Sequence, residues 1–520
     1  MQYEFRKNLL EMKKYSTKLF LAILFIFLSA VTSFATDVSV KDFGAKGDGK
    51  TDDRAALQAA VDAVKKAGGG TVSFPEGTYI VSAPNKGRWE PQVRICNNLK
   101  FKGAGMKRSI VKIMDNQGPY DVIFSGDSIS GFTMVDMTVD ANGETNPMIT
   151  QKDSFSSPWL HTIIYLPDSR NIDIERCRFT NLSGIWAIYA QRRANNVVVD
   201  ACIFDKIGGY TKNDWDHSTI RIDTDNGPVT VSNNVLTSKD GPATTGARTA
   251  MEIHGSNQKV INNKISGFRY GINVCTGGRG TGPNVSPTVN QQYIGNTITG
   301  VGSCFVFWSM SPAGFDGILF QDNTLVVDVP GWKDKYPNEI RGIFQTSRST
   351  GPIRNLVIRH NKVSYLGPEG YGIANDVHAG MWLGNFPQSK TALSISNLTI
   401  ADNTIINPTS SGIVLTATVD EAKISGNKII NPGKATGGLS EKYASGICLA
   451  GTMKNVVCEN NMLTDDQAVN TMKTGIWEET INQGGCAASN NKIKVKSSSK
   501  FIPFHLNPNQ TGTQWIVSNR

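Results

Sequence analysis

The stretch TAMEIHGSNQKVINNKISGF (Thr249–Phe268) carries two patterns at once. Met251 and Ile253 alternate with Glu252 and His254, as a strand with one buried face requires. Val260 and Ile261 then lead into Asn262-Asn263 and Ile265, a short apolar run broken by an asparagine turn. Neither pattern alone decides a fold. Their recurrence does.

Alternating apolar residues followed by x-Asn-x-(Ile/Leu/Val) return as VTVSNNVL at Asn234, YIGNTI at Asn296, FQDNTL at Asn323 and VIRHNKV at Asn361. They continue as TIADNTI at Asn403, KISGNKI at Asn427, VCENNML at Asn461 and ASNNKI at Asn491, at spacings of 24 to 42 residues. Two earlier copies, IERCRF at Cys177 and VDACIF at Cys202, put cysteine in the asparagine slot. A second element precedes most copies, often as Gly-Ile: GIWAIYA at Ile185, GINVC at Ile272, GIFQT at Ile343, GIVLT at Ile413, GICLA at Ile447 and GIWEE at Ile476. Each repeat reads as strand, turn, strand, asparagine turn, short strand, loop. Such a unit cannot bury its apolar face alone, so the units must stack, at about 4.8 Å per rung, into a solenoid with one continuous core. Side-chain amides at one turn then form a column, each bonded to the next. The asparagines are structural. Stacked thiols, rather than a disulfide, are the expected arrangement of Cys177 and Cys202.

The segment DFGAKGDGKTDDRAALQAAVDAVKKAGGGTVSFPEGTYIVS (Asp42–Ser82) predicts one helix, with Thr51 as its cap, Asp52 and Asp53 in its first turn, and Leu57, Val61 and Val64 on one face. An amphipathic helix here would cover the open end of a solenoid. The elements Phe43–Asp53 and Gly68–Tyr79 closely resemble the start of right-handed parallel β-helix proteins of the pectin lyase-like superfamily, in the pectate lyase group that also resembles family 28 glycosidases. The resemblance implies an all-β, right-handed parallel β-helix with a short N-terminal capping helix, and a strand face on which a sugar chain lies. It does not fix the reaction. The Gly-His-Gly and Arg-x-Lys elements of family 28 polygalacturonases are absent, and the pairs Asp52-Asp53 and Asp465-Asp466 lie away from the candidate site.

The bulk properties narrow the rest. Lys13, Lys14 and Lys18, the apolar run Leu19–Val31 and the small residues to Ala35 read as a secretory signal over 1–35, predicting a secreted or periplasmic protein. The run is too short for a membrane span. Entry strands and capping helix would occupy 36–82, and the rungs and C-terminal cap 83–520, as one domain. A net charge of +9, falling to near +6 without the first 35 residues, is too weak and too evenly spread for a nucleic-acid partner. Eight cysteines in 520 residues do not make a disulfide scaffold.

Alternation places the chemistry. With Ile220 and Ile222 inward, Arg221 and Asp223 face out; with Met251 and Ile253 inward, Glu252 and His254 face out. Asn273 and Cys275 follow on the next rung. Asp223 and Glu252 then lie on a diagonal of about 7–8 Å, a separation suited to inverting glycoside hydrolysis. The leading expectation is a polysaccharide hydrolase with Glu252 as general acid and Asp223 as base. His254 and Arg221 would position substrate or tune these groups, and Asp225 is the reserve carboxylate. Expected sugar contacts are Asn273, Trp215, His217, Trp308, Trp186 and Trp382, with Phe344 and Trp477 on the same column and Asp376 and His378 in a long loop. No cofactor is required by this reading. A polysaccharide lyase is the alternative, with Arg221 or His254 as base and a divalent cation such as calcium held by Asp223, Asp225 and Glu252. A non-catalytic glycan-binding β-helix is the third.

Overall fold

The computed structural model describes residues 36–84, 89–118, 120–147, 161–208, 217–224, 227–239, 248–277, 286–308, 311–334, 340–345, 351–368, 379–384, 393–435, 441–496, 500–508 and 516–518. The segment 1–35 and the residues Trp215, Asp225, Asp376 and His378 lie outside them. The described strands form three parallel sheets of 17, 15 and 14 strands, to which successive rungs contribute in turn, as a parallel β-helix. One core of buried residues runs inside it from Val40 to Ala488.

The asparagine column explains how the rungs hold together. The Nδ2 of Asn234 donates to the Oδ1 of Asn263 at 2.9 Å, Asn263 to Asn296 at 3.0 Å, and Asn296 to Asn323 at 3.1 Å. The chain of bonds continues through Asn361, Asn403, Asn427 and Asn461 to Asn491. Each Oδ1 also accepts the backbone N–H of the preceding rung's asparagine, as Asn361 does from Asn323 at 3.0 Å. Each Nδ2 also reaches a carbonyl, as Asn323 reaches Tyr293 at 2.9 Å. The amides of the ladder are thus satisfied by one another and by the backbone. The residue before each ladder asparagine takes left-handed geometry, with φ of 55° at Asn262 and 65° at Gly295, which favours Asn, Asp or Gly there. Cys177 and Cys202 extend the column as free thiols, the backbone N–H of Cys177 meeting the sulfur of Cys202 at 3.4 Å.

The Gly-Ile element has a steric cause. A Cβ at Gly342 would lie 2.4 Å from the carbonyl oxygen of Gly380, and one at Gly446 2.8 Å from that of Gly475. Side chains do not fit between rungs at that corner.

The capping helix spans Arg54–Lys66 and buries Leu57, Ala60, Val61 and Val64. Its start differs from the sequence expectation. Thr51 lies in the strand Asp48–Asp52, and Asp53 is the N-cap residue without a side-chain capping bond. The Asp53 carboxylate is instead taken by the backbone N–H groups of Lys46 and Gly47, at 2.6 and 2.9 Å. It anchors the entry loop and not the helix.

Candidate functional site

The third sheet carries the site on four consecutive strands, Ser218–Asp223, Thr249–His254, Tyr270–Cys275 and Ser303–Trp308. Ile220, Ile222, Met251, Ile253, Ile272 and Val274 are all buried in the core, so the alternation holds as read. Parallel register then sets two outward rows. Arg221, Glu252, Asn273 and Val306 form one; Asp223, His254, Cys275 and Trp308 form the other.

Within these rows the charges are tightly paired. Arg221 Nη1 lies 3.1 Å from Glu252 Oε1, and Arg221 Nε donates to Asp223 Oδ1 at 3.2 Å. His254 Nε2 lies 2.9 Å from the same Glu252 Oε1 and 3.8 Å from Asp223 Oδ1. His254 Nδ1 faces the Thr276 carbonyl oxygen at 3.1 Å. Both ring nitrogens therefore meet acceptors, which fits a doubly protonated imidazolium. Two further side chains complete the cluster: Ser218 Oγ donates to Glu252 Oε2 at 2.6 Å, and the Tyr189 hydroxyl to Asp223 Oδ2 at 3.3 Å.

The electrostatics follow from this packing. Burial alone would raise the Glu252 carboxyl, but the Arg221 charge and the bonds from His254 and Ser218 outweigh it and hold it well below the carboxylate range. Burial alone would favour neutral His254; the Cys275 sulfur, the Asp223 charge and the bond to Glu252 overcome that and raise it well above its ordinary value. Burial pushes the Cys275 thiol up, with His254 pulling the other way.

A general acid must carry a proton, whereas Glu252 is held as a carboxylate by Arg221, His254 and Ser218, and the proton of the cluster lies on His254. The carboxylate spacing also changes. Glu252 Oε1 and Asp223 Oδ1 share His254 Nε2 as neighbour, at 2.9 and 3.8 Å, so they lie less than ~7 Å apart. That upper limit falls below nearly all of the about 6.5–9.5 Å range of inverting glycosidases, and Arg221 and His254 already contact both carboxylates. Of the cation set expected for the lyase alternative, Asp223 and Glu252 both contact Arg221, and Asp225 lies outside the described residues.

The expected sugar contacts divide. Trp308 remains partly exposed beside Cys275, and Asn273 sits beside Glu252. Trp186 and Trp382 are each only 2% exposed and present no ring face to a ligand. The Gly184-Ile185 pair suggested that Trp186 joins the outward column, but the strand begins at Ile188, and Tyr189 is the cross-strand partner of Arg221. Trp186 packs instead among Trp89, Tyr165 and Tyr189. His217 is fully buried, its ring pushed down to about 3 by desolvation and Arg248, so it touches no sugar. Trp477 stacks on His505 at 3.6 Å. Ser218 and Tyr189 were not found from sequence. Parity groups Ser218 with the inward Ile220, and Tyr189 was hidden by the same displaced register.

The chain matches, over residues 38–295, the model of the family described as rhamnogalacturonase A/epimerase, pectate lyase-like. It is 33% identical over 231 residues to the mannuronan C5-epimerase AlgE2 of Azotobacter vinelandii, covering 39% of this chain and 22% of that protein. It is 43% identical over 110 residues to alginate lyase 7 of the same organism, covering 20% of this chain and 13% of that protein. The chain therefore spans less than a quarter of the length of these relatives. The tailspike protein of E. coli bacteriophage HK620, solved with a pentasaccharide, has the same fold, with a TM-score of 0.63 at 16% identity over 92% of this chain and 80% of that one. Residues 38–295 thus match the pectate lyase-like family, and the parallel β-helix continues through the described residues beyond them.

Proposed function

We propose that this pectate lyase-like β-helix protein is a carbohydrate-active enzyme working on a uronate-containing polysaccharide by proton transfer at the carbon next to the carboxyl group. The observation that carries the reading is the cluster itself: a proton-loaded His254 beside the carboxylate of Asp223, the more exposed of the two acids at 18% against 12% for Glu252. Asp223 takes the proton from the α-carbon. His254 gives its Nε2 proton to the leaving glycosidic oxygen as that carbon–oxygen bond breaks and a carbon–carbon double bond forms, or returns a proton to the α-carbon when the chain is left intact. Glu252 and Arg221 hold His254 and Asp223 in place. Arg248 and Arg269 lie over the Tyr270 ring, at 5.9 and 4.8 Å, and bring positive charge to the strand of Asn273, as an acidic polymer requires. Similarity to mannuronan epimerases and an alginate lyase supports the same substrate class.

The greater exposure of Asp223 favours one second reading, hydrolysis with Asp223 activating water and His254 as acid. One experiment separates them. The purified protein is incubated in deuterated water with polymannuronate, polygalacturonate and neutral glucans, following reducing ends, unsaturated-product absorbance and deuterium at the α-carbon. Unsaturated ends or deuterium incorporation, lost in His254→Gln, support the proposal. Reducing ends without either make it a hydrolase. Turnover of neutral glucans alone removes the uronate reading.

A further inference from the structure

We propose that Glu252, His254 and Cys275 form a binding site for a single thiophilic divalent metal ion such as zinc. One ligand atom from each, a carboxylate oxygen, a ring nitrogen and the sulfur, lie within 4.8 Å of one another. The backbone fixes this proximity, because Glu252 and His254 alternate on one strand and Cys275 is the direct cross-strand partner of His254. Three further observations point to a ligand rather than to packing.

The first is the orientation of the imidazole. His254 Nδ1 is tied to the Thr276 carbonyl at 3.1 Å, which leaves Nε2 aimed at Glu252 Oε1. Metal-binding histidines are held in this way, one nitrogen donating to a carbonyl and the other turned to the ion. The second is Asn273. It is the cross-strand partner of Glu252 and shares the outward face with Cys275, two residues on. It is 8% exposed, yet its Oδ1 accepts no hydrogen bond among the described residues. A buried acceptor left unmet is costly, and a cation or its bound water beside Glu252 would meet it. The third is the chemistry of the donor set. Imidazole, thiolate and carboxylate together suit zinc, with bonds of about 2.0–2.3 Å, and do not suit calcium, which takes oxygen ligands only. Asp223 Oδ1, 3.8 Å from His254 Nε2, or a water molecule would supply the fourth position.

Binding balances as a proton exchange. The ion replaces the Nε2 proton that His254 shares with Glu252 and the thiol proton of Cys275, and both protons pass to solvent. The metal-bound site therefore has no imidazolium proton to give, and metal binding and proton donation by His254 exclude each other. The inference stands on ligand geometry alone and does not require the carbohydrate reading.

The test uses chelator-treated full-length protein titrated with cobalt(II) and, separately, zinc(II). The expected result is one equivalent bound per chain, with a sulfur-to-cobalt charge-transfer band in the near ultraviolet. Cys275→Ser should abolish the band, Asn273→Ala should weaken binding by ~10–100-fold, and Cys448→Ser, another buried thiol on the same sheet, should change neither. Binding that is not stoichiometric, or a band surviving in Cys275→Ser, overturns the proposal. Should Cys275→Ser fail to fold, X-ray absorption of the zinc-loaded wild type decides. One sulfur with nitrogen and oxygen neighbours supports the site, and any other shell refutes it. Inactivity on every polysaccharide would remove the functional reading and leave these readouts untouched.

Discussion

Glu252→Gln removes one charge from the centre of the cluster and changes almost no volume. The lost charge served two charge-assisted contacts, to His254 Nε2 at 2.9 Å and Arg221 Nη1 at 3.1 Å, where Arg221 is only 5% exposed. Such contacts contribute ~1.5–3 kcal/mol each, and breaking a buried pair by removing one partner costs about 3–5 kcal/mol. Asp223 still faces both cations, and glutamine retains one acceptor, so the expected destabilisation is about 2–4 kcal/mol near pH 6.

The pH dependence gives the sharper test. Glu252 is held below its unfolded value, so its contribution is present above about pH 4.3 and lost as pH falls through the folded value. His254 is held above its unfolded value, so its contribution is complete below about pH 6.5 and lost as pH rises through the raised folded value. The difference in stability between wild type and Glu252→Gln must therefore be largest between those limits and shrink as His254 deprotonates. Urea unfolding of both proteins, followed by tryptophan fluorescence between about pH 5 and about pH 10, measures it. A difference under ~1 kcal/mol near pH 6, or one that stays constant to the alkaline end, would refute the description of His254 as an imidazolium held by Glu252.

Other consequences are simpler to check. His254→Gln should lower turnover of an active polysaccharide by ~10²–10⁴-fold and erase the alkaline limb of the wild-type pH–rate profile, since that limb reports loss of its proton. Asn323→Ala should cost about 3–5 kcal/mol in chemical denaturation, because its amide makes two donor bonds (to Asn361 and Tyr293) and accepts two from Asn296. Asn290→Ala, in an exposed position with one 3.0 Å side-chain bond to Asn257 and a left-handed φ of 56°, should cost about 1–2 kcal/mol, mostly from the backbone. Cys177 and Cys202 should react with a thiol reagent only after unfolding, each as a free thiol.

The ladder and the sheet parity were legible because they repeat. Each asparagine predicts the next, and one displaced copy cannot hide the period. The rows Arg221–Glu252 and Asp223–His254 followed directly, since parallel strands in register leave no freedom in which outward residues become neighbours. What failed was anything set by groups distant along the chain. Burial and Arg221 dominate the state of Glu252, but the bond that completes it comes from Ser218, 34 residues earlier, and the state of His254 rests on Cys275 of the next strand as well as on Asp223 and Glu252. Trp186 was misplaced because Gly184-Ile185 mimics a motif whose strand here begins at Ile188, and its burial depends on Trp89, whose ring lies 6.2 Å away. Thr51 failed as a cap for a similar reason. Two loop amides engage the Asp53 carboxylate, and the helix begins at Arg54 without a side-chain cap.

The arrangement of signs explains why so many charges are tolerated on one sheet face. Arg221 and Asp223 alternate along one strand and Glu252 and His254 along the next, in the opposite order. Every cross-strand neighbour and every neighbour two residues along is therefore of opposite sign, a checkerboard of two positive and two negative groups. Aligned like charges would repel across rungs fixed about 4.8 Å apart, and a lone buried charge would neutralise itself by shifting its pKa. The checkerboard instead sets each group against two of opposite sign, holding the Glu252 carboxyl low and the His254 imidazole high. Its chemical consequence is a protonated His254 on one strand facing Asp223 on the neighbouring one, 3.8 Å away, with Glu252 contacting His254 and Arg221 contacting Asp223. A ligand that draws the proton from His254 must also leave Glu252 with less compensation, so proton transfer and the stability of the square are coupled at the same atom, Glu252 Oε1.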